Sequence, residues 1–130
     1  MFYAFSHTPT GALTEATATE VELQLGAGVI HQVDVLFQDG CNHETFVQIF
    51  RANFQVWPTN RGEYLRGNAT VVSFREFYEL TPGESILTAH VWSTLTSDWK
   101  EIIIQIGLLP KRIIQPMAFE ELLAAAAGIE

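Results

Sequence analysis

Apolar and polar residues alternate with a period of two along most of this chain, the mark of strands with one buried face. Val21, Leu23 and Leu25 alternate with Glu20, Glu22 and Gln24. After Gly26-Ala27-Gly28, the residues Val29, His31, Val33, Val35 and Phe37 share one face, and Ile30, Gln32, Asp34 and Leu36 share the other. Gln38-Asp39-Gly40 supplies a turn, because glycine and aspartate accept the backbone angles that turns require. Phe46, Gln48 and Phe50 then oppose Val47, Ile49 and Arg51, with Phe54 to Trp57 as a hairpin partner. Strands are also predicted at Tyr3–Phe5, Thr70–Phe74, Phe77–Leu80, Ile86–Ser93 and Lys100–Leu109, separated by turns at Pro58–Gly62, Arg66–Asn68, Thr81–Glu84 and Thr96–Asp98. About eight short strands with turn signals between them predict an all-β, jelly-roll-like antiparallel β-sandwich over residues 1–110.

The last twenty residues break the pattern. Leu109 to Pro116 reads as an extended arm, and Phe119, Leu122, Leu123 and Ala126 recur at helical spacing before Gly128. Pro116 near the start, Glu120 and Glu121 in the first turn and glycine at the end fit a short helix. About three turns of helix are marginal alone and need a surface. Residues 111–130 are therefore expected to form an arm and helix whose Ile113, Ile114, Met117, Phe119, Leu122 and Leu123 dock on protein. Its own sandwich and a neighbouring subunit are both open as the surface, and the flanking prolines favour the neighbour.

Composition narrows the classes. The chain has 130 residues, enough for one domain to build a core without disulfides or metal. Seven Lys and Arg face fifteen Asp and Glu, a net charge of −8. The basic residues are scattered, which argues against direct nucleic-acid binding. No apolar run reaches the roughly 20 residues that span a bilayer, and the first residues lack the basic and apolar regions of a secretory leader. No membrane association is expected. Cys41 is the lone cysteine and reads as a small residue at a strand boundary, with His43 nearby as the only hint of a reactive thiol.

The search for chemistry gives weak candidates. His7, His31, His43 and His90 show no metal-binding spacing, although His31 and His90 lie on strands that could meet. Asp34, Asp39 and Glu44 could gather at a strand end for acid–base work or calcium, but solvated turn acids are the plainer reading. No nucleophile elbow, P-loop or dinucleotide fingerprint is present. Asn68-Ala69-Thr70 is formally a glycosylation sequon. Trp57 and Trp99 sit at predicted loop borders, where a sugar-binding module would place stacking platforms, while Trp92 shares a strand face with Ile86, Thr88 and His90. The expectation is a protein that is not an enzyme and holds no cofactor.

Gly28 to Phe37, Gly40-Cys41, Val47-Gln48-Ile49, Gln55 to Asn60, Phe74 to Leu80 and the exit Ile106-Gly107-Leu108-Leu109-Pro110 resemble a group of small β-sandwich proteins encoded by tailed phages and related metagenomic genomes. The likeness covers most of the chain, and its motifs are structural rather than catalytic. Related strands often carry an Asn-rich turn before the last strand, where this chain has Leu95 to Trp99. The resemblance implies a virion-located structural subunit, such as a capsid decoration protein or another minor component. Its implied partners are further copies of itself and other virion proteins such as the major capsid protein. A carbohydrate-binding module on a host-facing protein is the alternative, carried by Trp57 and Trp99.

Overall fold

The computed structural model describes residues 1–110, which fold as an antiparallel β-sandwich of two sheets. The strands are β1 (Phe2–His7), β2 (Thr19–Gln24), β3 (Gly28–Phe37), β4 (Thr45–Arg51), β5 (Phe54–Trp57), β6 (Leu65–Arg66), β7 (Thr70–Leu80), β8 (Ile86–Ser93) and β9 (Ile102–Leu109). One sheet has the order β1-β9-β3-β7, and the other β2-β8-β4-β5 with β6 beside β4. The pairs β1–β9, β2–β8, β3–β7 and β4–β5 nest one inside the next, so that the chain's two halves run side by side across both sheets. The expected arm and helix over residues 111–130, with all six of its docking side chains, lie outside the described residues.

Alternation does what the sequence pattern requires. From the first sheet, Val33, Val35 and Phe37 of β3 and Ile102, Ile104, Ile106 and Leu108 of β9 enter the core. Val47 and Ile49 of β4 and Leu87, Ala89 and Val91 of β8 meet them from the second. Each large side chain so buried contributes about 1.5–3 kcal/mol, and the core closes without any disulfide. Cys41 is fully buried within it.

Three local departures from simple alternation shape the surface. Between the Tyr78–Ile30–Leu108 row and the row of Arg75, Gln32 and Gly107, β9 advances one residue, β3 two and β7 three. These bulges turn Ile30 inward with Val33, so His31 leaves the face it was expected to share with Val33 and lies against Phe2 (ring centroids 5.8 Å apart). Gly107 sits beneath that contact; a Cβ there would lie 2.7 Å from the Phe2 ring and 2.8 Å from His31 Nε2. The same fan-out joins the two strands expected at Thr70–Phe74 and Phe77–Leu80 into the single eleven-residue β7. A further bulge in β5 sets Trp57 rather than Val56 opposite Ile49.

Candidate interaction surface

The bulge in β5 decides what Trp57 does. Gln55 points to the outer face, where its amide meets Gln48, and strict alternation would send Trp57 the same way. The inserted residue turns the indole inward instead, to 3% exposure. There it lies against Tyr78 and Phe74 (centroids 5.4 and 5.8 Å), and its Nε1–H donates to Glu76 Oε1 at 3.0 Å. Sugar stacking needs an open ring face, and this ring has none. Trp99 is half-buried, with its Nε1–H donating to the Leu95 carbonyl at 2.9 Å. The two indoles are not brought together. Trp57 stands opposite Ile49, whereas Trp99 is tied to Leu95 beyond the Thr45–Ser93 pair, four residues of β4 away, or roughly 13 Å along the strand.

Other candidates from the sequence also separate. His31 and His90 lie on different sheets, the first against Phe2 and the second stacked on Phe50 at 4.3 Å and 3.3 Å from Glu20. Asp34 lies on the outer face of β3, accepting from Gln32 and Ser73. Asp39 is in the following turn beside Asn68, and Glu44 accepts from Thr94. Among the described residues no three His, Cys, Asp or Glu gather as a metal would need. The Asn68 carboxamide is structurally engaged: its Oδ1 accepts from the Gly40 and Asn42 amides, both at 2.9 Å, and so pins the β3–β4 turn.

The outer face of the second sheet is partly roofed by the chain itself. Gln55 Nε2 donates to the Pro58 and Glu63 carbonyls (2.8 and 3.0 Å), its Oε1 accepts from the Gly62 amide (3.2 Å), and Gln48 Nε2 donates to Glu63 O at 3.0 Å. Both glutamines are buried, and satisfying the loop's carbonyls offsets the cost of burying their amides. The loop they hold brings Tyr64 edge-on to Phe46 and Trp92 (4.8 and 5.4 Å), covering both. Trp92, read from sequence as core or interface, is thus covered by its own chain at 3% exposure.

At the far end of β4 the cover stops. The β4–β5 turn, with Ala52 in the left-handed region, and the Thr81–Glu84 turn, with Gly83 at φ +85° as a Pro-Gly turn demands, flank a cleft of about 800 Å³. Arg51, Phe54, Tyr78, Glu84, Ile86 and Thr88 line it. An adjoining depression of about 520 Å³ extends it past Phe54 to Arg61. Phe54 and Ile86 are 53% and 49% exposed. Arg61 lies over the Phe54 ring at 4.8 Å. Arg51 donates to the Tyr78 hydroxyl at 3.4 Å and pairs with Glu84, and these two partners hold its guanidinium charged, above the ordinary arginine range. The cleft therefore combines an apolar floor with the paired Arg51 and Glu84 and with the guanidinium of Arg61, a chemistry suited to a segment carrying both apolar and acidic side chains. Sequence reasoning missed it because its residues come from four separate strands and two turns. The Phe54 and Ile86 positions read there as ordinary strand residues.

No protein-family model matches this chain, and no curated protein matches it.

Proposed function

We propose that the protein is a structural subunit that works by protein–protein assembly, and that it is neither an enzyme nor a cofactor carrier. The observation that carries this reading is the set of large apolar side chains left open on the sandwich. Phe2, Phe54, Val71, Phe77 and Ile86 are each about half exposed or more. Phe54 and Ile86 share one cleft, and contiguous exposed apolar surface marks interaction sites in soluble proteins. The net charge of −8 keeps unassembled copies apart in solution.

The kind of assembly is read from the sequence resemblance: a tailed-phage particle, with the protein as a capsid decoration or other minor virion subunit that contacts its own copies and the major capsid protein. We read the nested pairing of β1–β9, β2–β8, β3–β7 and β4–β5 as jelly-roll winding, an architecture that viral capsid domains use among others. Fold alone does not assign function, so this supports the reading only alongside the sequence.

Sedimentation of the purified chain tests assembly, and a monomer at every concentration would refute it. Removal of residues 111–130 is expected to leave a folded sandwich and shift the oligomer to monomer; an unchanged oligomer would exclude the arm from the interface. Mass spectrometry of purified particles tests the location, and particles of the encoding phage that lack the chain would refute it.

A further inference from the structure

We propose that the cleft between the β4–β5 and β7–β8 turns is the receptor for the C-terminal segment Met117–Leu123 of a second copy of this chain. The inference rests on the assembly reading and adds to it the site and its occupant.

The cleft's chemistry matches that segment. Its open apolar side chains are Phe54 and Ile86, and its cations are Arg51 and Arg61. Within a chain that has only seven basic residues against fifteen acidic ones, two of the cations border this one site. The C-terminal segment supplies the complement, with Phe119, Leu122 and Leu123 for the apolar floor and Glu120 and Glu121 for the guanidinium groups. Arg61 is the better placed of the two arginines, since Arg51 already pairs with Glu84.

Topology places the start of the segment at the correct end of the sandwich. Leu109 ends β9 opposite Val29, which also faces Glu79 of β7. The Leu25 amide bonds to Ser85 O and Ile86 pairs with Gln24, so the β2–β3 turn, the β7–β8 turn and the chain's exit share one end. The β4–β5 turn joins them, because Phe50 pairs with Thr88 two residues from Ile86. The six residues from Lys111 to Pro116 reach about 19 Å when extended, enough to pass from one protomer's end to the cleft of another apposed end to end.

The sequence favours a neighbour's cleft over the chain's own. From Leu108 to Ala127 there is no glycine, asparagine, aspartate or serine, and the turn-forming residues in this stretch are the two prolines, Pro110 and Pro116. Pro110 and Pro116 bias the residues before them toward extended backbone. β9 runs outward at this end, and a segment that continued without a reversal would leave its own cleft behind. Two copies related by a two-fold axis would each fill the other's cleft, a closed arrangement.

Full-length variants test this by sedimentation equilibrium. Phe54→Asp or Ile86→Asp, both at exposed positions, should weaken dimerisation roughly tenfold to a hundredfold, the worth of burying the open half of one apolar side chain in each of two clefts. Arg61→Glu should weaken it less, and the triple variant R61E/E120R/E121R should recover part of the loss. A cleft-defective chain (F54D) and a segment-defective chain (L122D/L123D) should each be monomeric alone and form a one-to-one dimer when mixed, because one intact cleft and one intact segment remain. Melting temperatures near wild type confirm that the variants fold. Wild-type association by F54D and I86D would overturn the cleft as receptor while leaving self-assembly standing. No dimer in the mixture, with both single variants monomeric, would overturn exchange between copies. A wild-type chain that is monomeric throughout would overturn both the inference and the assembly reading.

Discussion

Replacing Trp57 by alanine separates a structural tryptophan from a ligand-facing one, because the two roles predict opposite results. The indole is 3% exposed and packs on Tyr78 and Phe74 where the open sides of the two sheets meet. Truncating a buried aromatic ring costs about 3–5 kcal/mol, through lost burial and the cavity left behind. The change also removes the donor to Glu76 Oε1, which is at 3.0 Å. Domains of this size have total stabilities of about 5–15 kcal/mol, so the variant loses a large share of its margin and its melting temperature drops by roughly 10–20 °C. Trp57→Phe retains most of the packing and loses the hydrogen bond, at a cost of about 1–2 kcal/mol. Combining it with Glu76→Gln in a double-mutant cycle isolates the coupling between the two side chains. Urea unfolding followed by far-UV circular dichroism measures all four species without relying on the fluorophore being removed. A W57A variant within about 1 kcal/mol of wild type, with an unchanged m-value, would refute the buried assignment and restore Trp57 as a candidate ligand platform.

Further outcomes follow from other positions. Gly28 has φ +153°, and a Cβ there would lie 2.6 Å from the Leu109 carbonyl oxygen; Gly28→Ala should destabilise by about 1–3 kcal/mol in denaturant titrations, since backbone atoms have no rotamer through which to yield. Gln55→Leu leaves the Gly62 amide without its acceptor and the Pro58 carbonyl without a donor, at about 2–3 kcal/mol, and limited trypsin digestion should then cut after Arg61 faster than in wild type. Burial lowers the His7 pKa below the ordinary 6.5, so the unfolded chain binds a proton there before the folded one does. Stability should fall as pH drops through and below 6.5, and His7→Gln should flatten that dependence in melts between pH 5 and 8.

How much of this was legible in the sequence depends on which physical constraint sets each feature. β2, β4 and β8 could be read because one face of each enters the core and the side-chain period is two, as Glu20-Val21-Glu22-Leu23 shows. The nested pairing, by contrast, is a property of which strands meet, and no local pattern encodes it. The bulges were invisible for the same reason. His31 sits in an unbroken alternation with Val29 and Val33, and only the different advance of β9, β3 and β7 past one another moves it off that face. Arg75-Glu76 interrupts the apolar residues of β7 and reads as a break, yet those residues lie in the fan-out that keeps the strand continuous. Trp57 shows the cost most directly: one extra residue in β5 inverts the direction of the side chain on which the sugar-binding alternative depended. The turn signals at Gln38-Asp39-Gly40 and Arg66–Asn68, beside which Cys41 and Asn68 sit, could be read because turn chemistry is local.

The loop from Pro58 to Tyr64 ties these features to the proposed assembly. It closes apolar surface within the protomer, since Tyr64 covers Phe46 and Trp92. It also carries Arg61 to the Phe54 ring, at the border where that cover ends. The same two buried glutamines hold both ends of the arrangement, through Glu63 beside Tyr64 and through Gly62 beside Arg61. Phe46 and Trp92 are thus satisfied within the chain, while Phe54 and Ile86, of similar chemistry and a few residues away, are left to be covered from outside. If the cleft is an assembly surface, loosening the loop must act on association as well as on stability. Gln55→Leu should weaken dimerisation even under conditions where the sandwich remains fully folded, whereas a loop that served only as a lid for Trp92 would leave the dimer untouched.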